Sequence, residues 1–124
     1  MALLFVNLTK HPLLSEQEQW VAENCYATVE IDNDIKSALN FQELPTLEEL
    51  EKRADYIADK FRMDNPDYRM MVMIGDIPFF TSTLERKLKE VGALVVYPFL
   101  TTVSVEERGG IVKTKYKHEG WIEV

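Results

Sequence analysis

Three groups of residues in this chain carry side chains able to do chemistry. The first follows an opening apolar run: Asn7, Thr9 and His11, the last directly before Pro12. Amides and hydroxyls hydrogen-bond sugars and phosphates, and histidine moves protons near neutral pH. Asn and Thr also form turns, so they can serve the loop itself as well as a ligand. The second is Gly75-Asp76, at the end of a run of apolar residues and ahead of a helix. Glycine lets a ligand approach the backbone closely, a helix N-terminus favours anions, and an aspartate can bind a ribose hydroxyl. Such a corner can also be a plain turn. The third is a lysine series near the C-terminus. Strand alternation puts Lys113, Lys115 and Lys117 on one face and Val112, Thr114, Tyr116 and His118 on the other. Those lysines either reach phosphates or form a solvated face that guards a sheet edge.

Composition narrows the chemistry. The 124 residues carry a formal charge of −7, so a duplex nucleic acid is not an expected partner. The charge is uneven: residues 1–67 hold 6 Lys and Arg against 14 Asp and Glu, and residues 68–124 hold 8 against 7. A small phosphorylated ligand in a pocket of the second half fits that balance better than a polymer groove does. No Gly-x-Gly-x-x-Gly or Gly-Lys-Thr phosphate loop occurs, and the two histidines lie far apart in sequence. Neither a cofactor nor a metal is expected. Cys25 is the only cysteine, which excludes an intrachain disulfide, fits a reducing compartment and reads as a half-buried thiol. The opening residues lack the basic and apolar regions of a secretory leader, and no apolar run has the length to span a bilayer. A cytoplasmic protein without a membrane partner is expected.

The elements that must position these groups follow from periodicity. Leu3 to Val6 reads as a strand buried on both faces. Ser15-Glu16-Gln17-Glu18 has the form of a capping box and predicts a helix over 16–24, with Trp20 and Val21 inward. Tyr26 to Ile31 alternates as a second strand. Asp32 to Pro45 is a polar connection with room for a helical turn near 35–39, and a candidate lid. Thr46-Leu47-Glu48-Glu49 opens a helix whose stripe is Leu47, Leu50, Ala54, Ile57, Ala58 and Phe61. Met70 to Ile74 is a central strand, and its methionines read as packing. Ser82-Thr83-Leu84-Glu85 predicts the next helix, ended by Gly92. Ala93 to Tyr97 is the fourth strand. Val103–Glu107 and Ile111–Tyr116 form a hairpin about Arg108-Gly109-Gly110, and Trp121 to Val124 is a candidate further edge strand. Alternating strands and helices imply one α/β domain over 1–124, with a Rossmann-like parallel sheet of order 2-1-3-4, flanking helices and a C-terminal antiparallel hairpin. Ligands of such sheets bind beyond the strands' carboxyl ends, where the order reverses. That point lies between the first and third strands and sets Asn7, Thr9 and His11 across from Gly75 and Asp76.

Three stretches resemble a family. His11-Pro12-Leu13 with Glu16-Gln17, the strand end Ile74-Gly75-Asp76, and a terminal series match it. That series is Tyr97, Thr101-Thr102, Ser104-Val105-Glu106-Glu107, Val112-Lys113-Thr114 and Lys117-His118. They are similar to the small stand-alone CRISPR-associated Csx proteins, which include ring nucleases with CARF-like folds. The resemblance implies binding and metal-independent cleavage of cyclic oligoadenylate, the second messenger of type III CRISPR antiviral systems. It implies His11 or His118 as acid or base, with Lys113 as a further catalytic residue, and Thr9, Thr101, Thr102 and Lys117 as ligand contacts, to which the crevice between the first and third strands adds Asn7, Gly75 and Asp76. A two-fold ligand further implies a homodimer. A non-catalytic sensor of the same ligand and a protein-interaction module using the acidic helix from Thr46 to Met63 are the alternatives.

Overall fold

A computed structural model describes residues 2–124; Met1 lies outside the described residues. The elements run β1 (Leu3–Asn7), α1 (Ser15–Asn24), β2 (Ala27–Thr28), α2 (Asn33–Ala38), α3 (Leu47–Asp64), β3 (Arg69–Met73), α4 (Pro78–Glu90), β4 (Leu94–Glu106) and β5 (Val112–Glu123). They build a five-stranded sheet of order β2-β1-β3-β4-β5, in which only β5 runs antiparallel to its neighbour. The order expected for the first four strands is the one observed.

Successive strand residues alternate between two cores. Leu4, Val6, Met70, Val72 and Val95 pack with Ile35, Ile57, Phe61, Phe80 and Leu88 from α2, α3 and α4. Phe5, Met71, Met73 and Val96 pack on the other face with Val21 of α1 and with Trp20, Cys25 and Trp121. The methionines of β3 are thus core side chains, as their position in a doubly covered strand requires. Burial also pushes the Cys25 thiol above its ordinary pKa, which fits packing rather than nucleophilic chemistry.

Several boundaries differ from the sequence expectation, each for a local reason. Ser15 does not cap α1; it is the first helical residue and Leu14 precedes the helix. The first turn is tied instead by Gln17, whose side-chain oxygen accepts the Leu14 N–H at 2.8 Å. β2 covers two residues rather than six, with Ala27 and Thr28 set against Leu4 and Phe5 of β1. Only the flanking bonds Tyr26 N–H to Leu3 and Val29 N–H to Phe5 extend it, each 2.8 Å. The helix expected from Ser82 starts a turn earlier at Pro78, whose fixed φ and missing N–H suit the first helical position. It ends as expected: Gly92, at φ +85, closes α4 with bonds from Gly92 N–H to Lys89 and Ala93 N–H to Leu88. Leu47 is exposed, since it opens α3 and points past the end of the apolar stripe.

The segment read as a candidate lid is anchored. Ile35 is buried, and Arg53 Nη1 donates to the Asn40 carbonyl at 2.8 Å and the Ala38 carbonyl at 3.3 Å while lying over the Phe41 ring. Asp32 caps α2 by accepting the Ile35 N–H at 2.9 Å, and Lys60 Nζ lies 2.8 Å from its other oxygen. The Lys60 hydrogen bond, helped by the Ile35 N–H, holds the Asp32 carboxyl below its ordinary pKa. A lowered carboxyl pKa stabilises the fold above the unfolded value of about 3.9 and loses that contribution as pH falls through the folded value. Asp32→Asn keeps the cap and removes the charge. Thermal unfolding of this variant and the wild type should differ at pH 6 and converge in acid; an equal gap at both ends would exclude the mechanism.

The largest departure is the hairpin. β4 does not stop at Tyr97 but continues to Glu106, and β5 pairs with it from Val112 to Glu123. The stretches read as a fourth strand, a hairpin and a tail strand are two long strands. Pro98 does not end β4, because proline is tolerated where no neighbouring strand needs its N–H. The turn is where it was expected, with Gly109 and Gly110 at φ +90 and +79. One irregularity lies between the Phe99–Gly120 and Leu100–His118 pairs, where Glu119 is an extra residue on β5.

Candidate functional site

A cavity of about 640 Å³ opens at the carboxyl ends of β1 and β3 and beside Tyr97–Leu100 of β4, the end of the parallel sheet that the strand order singles out. The loop after β1 supplies Thr9, His11, Pro12 and Leu14, and α1 supplies Gln17. The corner after β3 supplies Ile74, Gly75 and Asp76, and the ribbon supplies Tyr97, Pro98, Leu100 and Tyr116. The opening loop, the Gly-Asp corner and the hairpin therefore share one cleft.

The β1 loop is held by its own polar side chains. Asn7 Oδ1 accepts from Thr9 N–H at 2.8 Å and from the Thr9 hydroxyl at 2.6 Å, and Asn7 Nδ2 donates to the His11 carbonyl at 2.8 Å. These bonds occupy Asn7 as a turn former, while Thr9 both braces the loop and lines the cavity. Asp76 then clamps this loop to the β3 corner. One of its oxygens accepts the Lys10 N–H, and the other lies 3.4 Å from His11 Nε2. His11 is 83% exposed on its side chain, whereas Asp76 is 16% exposed. An accessible imidazole beside a sheltered carboxylate is an arrangement that orients a proton-transferring group. Gly75 has φ +144, so the corner needs glycine for its conformation; a Cβ there would make only an ordinary 3.6 Å contact with the Tyr97 ring. Burial, with Glu85 3.4 Å away, pushes the Tyr97 hydroxyl above its ordinary pKa.

The other residues named from the sequence lie elsewhere on the ribbon. Thr102 pairs with Tyr116 and Thr101 with Lys117, and directly paired residues share a face. Lys113, Lys115 and Lys117 therefore take the face opposite Tyr116, away from this chain's own cavity. Lys113 pairs with Glu107 at 3.3 Å, Lys117 lies 3.8 Å from Glu119, and the Thr101 hydroxyl donates to Glu119 at 2.8 Å. Among the described residues, no lysine or arginine lines the cavity. No cluster of three or more His, Cys, Asp or Glu is placed to hold a metal there or elsewhere in the described chain.

His118, unlike His11, does not line the cavity. It packs against Trp121 with ring centroids 4.9 Å apart, on the α1 side of the sheet. The extra residue Glu119 makes this possible, because three positions apart on a regular strand would face opposite ways. Gln17 is the only buried polar residue among those described, and its Nε2 lies 3.3 Å from His118 Nδ1. Since the Leu14 N–H fixes the Gln17 oxygen, the amide nitrogen must donate, and Nδ1 must accept. The neutral imidazole then carries its proton on Nε2, which is buried without a partner. His118 so joins the ribbon to α1 beside the cavity wall, between its cross-strand partner Leu100 and Gln17, both of which line the cavity. Gln17, Tyr97, Leu100 and Tyr116 were not among the site residues read from the sequence. Gln17 and Tyr97 fell within the stretches that carry the resemblance, while the face of Tyr116 was legible from alternation.

The fold and cleft define a mixed α/β protein with a sheet of four parallel strands and an antiparallel fifth, with a cavity at the carboxyl ends of β1 and β3. Residues 3–122 match the model of the uncharacterized protein MJ1673 family, and the chain belongs to that family. No curated protein and no solved structure matches it. Among the described residues, no helix is long and apolar enough to cross a membrane.

Proposed function

We propose that this chain binds a cyclic oligoadenylate in the cleft between the β1 loop, the Gly75-Asp76 corner and the ribbon, and opens the ring there. The sheet is then a Rossmann-like, CARF-like platform for the ligand. What supports the proposal is that the first two stretches resembling Csx proteins, joined by Tyr97 of the third, meet on one cavity of about 640 Å³, large enough for a nucleotide unit.

In the proposed reaction a ribose 2′-oxygen attacks the adjacent phosphorus. The 2′-O–P bond forms as the P–O5′ bond breaks, leaving a 2′,3′-cyclic phosphate and a 5′-hydroxyl. The proton leaving the 2′-oxygen is matched by one gained at O5′. In this reading His11 carries the proton, and Asp76, 3.4 Å from its Nε2, supports that role. The apolar walls given by Tyr97, Leu100 and Tyr116 suit a purine, and holding the sugar-phosphate in line supplies much of the rate.

Incubation with cyclic tetra- and hexa-adenylate in EDTA, followed by chromatography, should yield linear adenylates ending in 2′,3′-cyclic phosphate. Unchanged ligand of both sizes and no binding would refute the proposal. One observation favours the sensor reading: the cavity presents no cation of its own chain to a phosphate. Tight binding without product would select it.

A further inference from the structure

The two edges of the β4–β5 ribbon are not alike. β3 pairs with β4 only over Leu94–Val96, so from Tyr97 to Glu106 the β3 side of β4 has no strand beside it. Backbone groups along a strand point alternately to its two sides. The Val96 carbonyl accepts the Ile74 N–H on the β3 side. The Val95 carbonyl accepts the Val124 N–H, and Glu107 N–H donates to Ile111, both on the β5 side. Even-numbered residues therefore aim their N–H and C=O away from β5. For Leu100, Thr102, Ser104 and Glu106, all exposed, those groups point off an open edge. Pro98 belongs to the same series, at a position where its missing N–H deprives no partner.

Open edges recruit other strands unless they are guarded. The β5 edge is guarded by Lys113, Lys115 and Lys117, whereas no charged side chain occurs from Tyr97 to Val105 on β4. Pairing across a two-fold axis sets each residue of a segment against another residue of the same segment. An uncharged segment is complementary to itself under that operation, while the β5 edge would set lysine against lysine. The chain as a whole carries −7, yet Tyr97–Trp121 holds four Lys and Arg against three Glu, so two copies meet least repulsion here. Phe99 and Val103, exposed on β4, would be covered.

We propose that the open edge of β4, Tyr97–Val105, pairs antiparallel with the same edge of a second copy to give a two-fold dimer with a continuous sheet. Tyr97, Pro98 and Leu100 belong both to this edge and to the cavity wall, so the two cavities flank the axis. The pairing rests on the edge alone and stands whatever ligand the cavity takes.

Light scattering on the wild-type chain should give twice the chain mass. Amide exchange at Leu100, Thr102 and Ser104 should be slowed roughly tenfold or more relative to a free edge, and should quicken on dilution. Thr102→Lys sets like charges near the axis and should halve the mass while leaving the circular dichroism spectrum unchanged. Lys115→Glu, on the guarded edge, should remain a dimer. If Thr102→Lys fails to fold, the wild-type exchange pattern decides. A monomeric wild type, free exchange at those three amides, or a folded Thr102→Lys chain of dimer mass would overturn the proposal. A monomer would leave the edge to a strand from another protein.

Discussion

His11→Ala is expected to slow ring opening by about 10²–10⁴-fold, the usual effect of removing a general acid–base group. Among the described residues that line the cavity, His11 is the only histidine, and Asp76 is its only carboxylate neighbour at 3.4 Å. Its side chain is largely exposed, so the substitution should leave the melting temperature nearly unchanged. Lys113→Ala is the informative companion. Lys113 faces away from its own chain's cavity and is paired with Glu107, so turnover within one subunit should survive its loss. A strong loss in Lys113→Ala with full activity in His11→Ala would reverse the assignment, placing the chemistry on the ribbon. Measured initial rates with cyclic tetra- and hexa-adenylate separate these outcomes.

Phe80→Ala should lower the unfolding free energy by about 3–5 kcal/mol, the range for an aromatic truncated in a core. Phe80 is 1% exposed, meets Phe41 edge to face at 5.2 Å, and belongs to the cluster that seats α3 and α4 on the sheet. For a chain of this size that loss corresponds to a melting point lower by roughly 10–20 °C. The adjacent Phe79 is 55% exposed, although it also touches Phe41 at 5.1 Å. Phe79→Ala should therefore cost under about 1 kcal/mol. Equal losses at the two positions, read by chemical denaturation, would contradict the packing described.

These two residues also show how far the sequence could be read. His11 was a visible candidate because of its side-chain chemistry and its place after the first strand. Phe80 was not assigned to a helix, since the pattern Ser82-x-x-Glu85 drew the expected start of α4 past it. The capping signature depends on four residues, and a proline at Pro78 outcompeted it by suiting the first turn outright. The same signature at Thr46 did mark a cap, with the Thr46 hydroxyl accepting the Glu49 N–H at 3.1 Å. At Ser15 it failed because Gln17 bonded to Leu14 instead.

Period and punctuation in the sequence determined the parallel core strands, their order and the end of the sheet where the cavity opens. Those follow from side-chain alternation, helix stripes and the short connections between elements, all of which are local. Tertiary pairing alone decided that β4 and β5 run on as a long ribbon, and that the lysines turn away from the cavity while Tyr116 turns in. It also packed His118 on Trp121 and bonded it to Gln17, so that it does not line the cavity as His11 does. Alternation separates two faces but does not say which one meets the rest of the molecule. That choice was made by register with a distant strand and by one extra residue, Glu119, neither of which leaves a mark in local sequence.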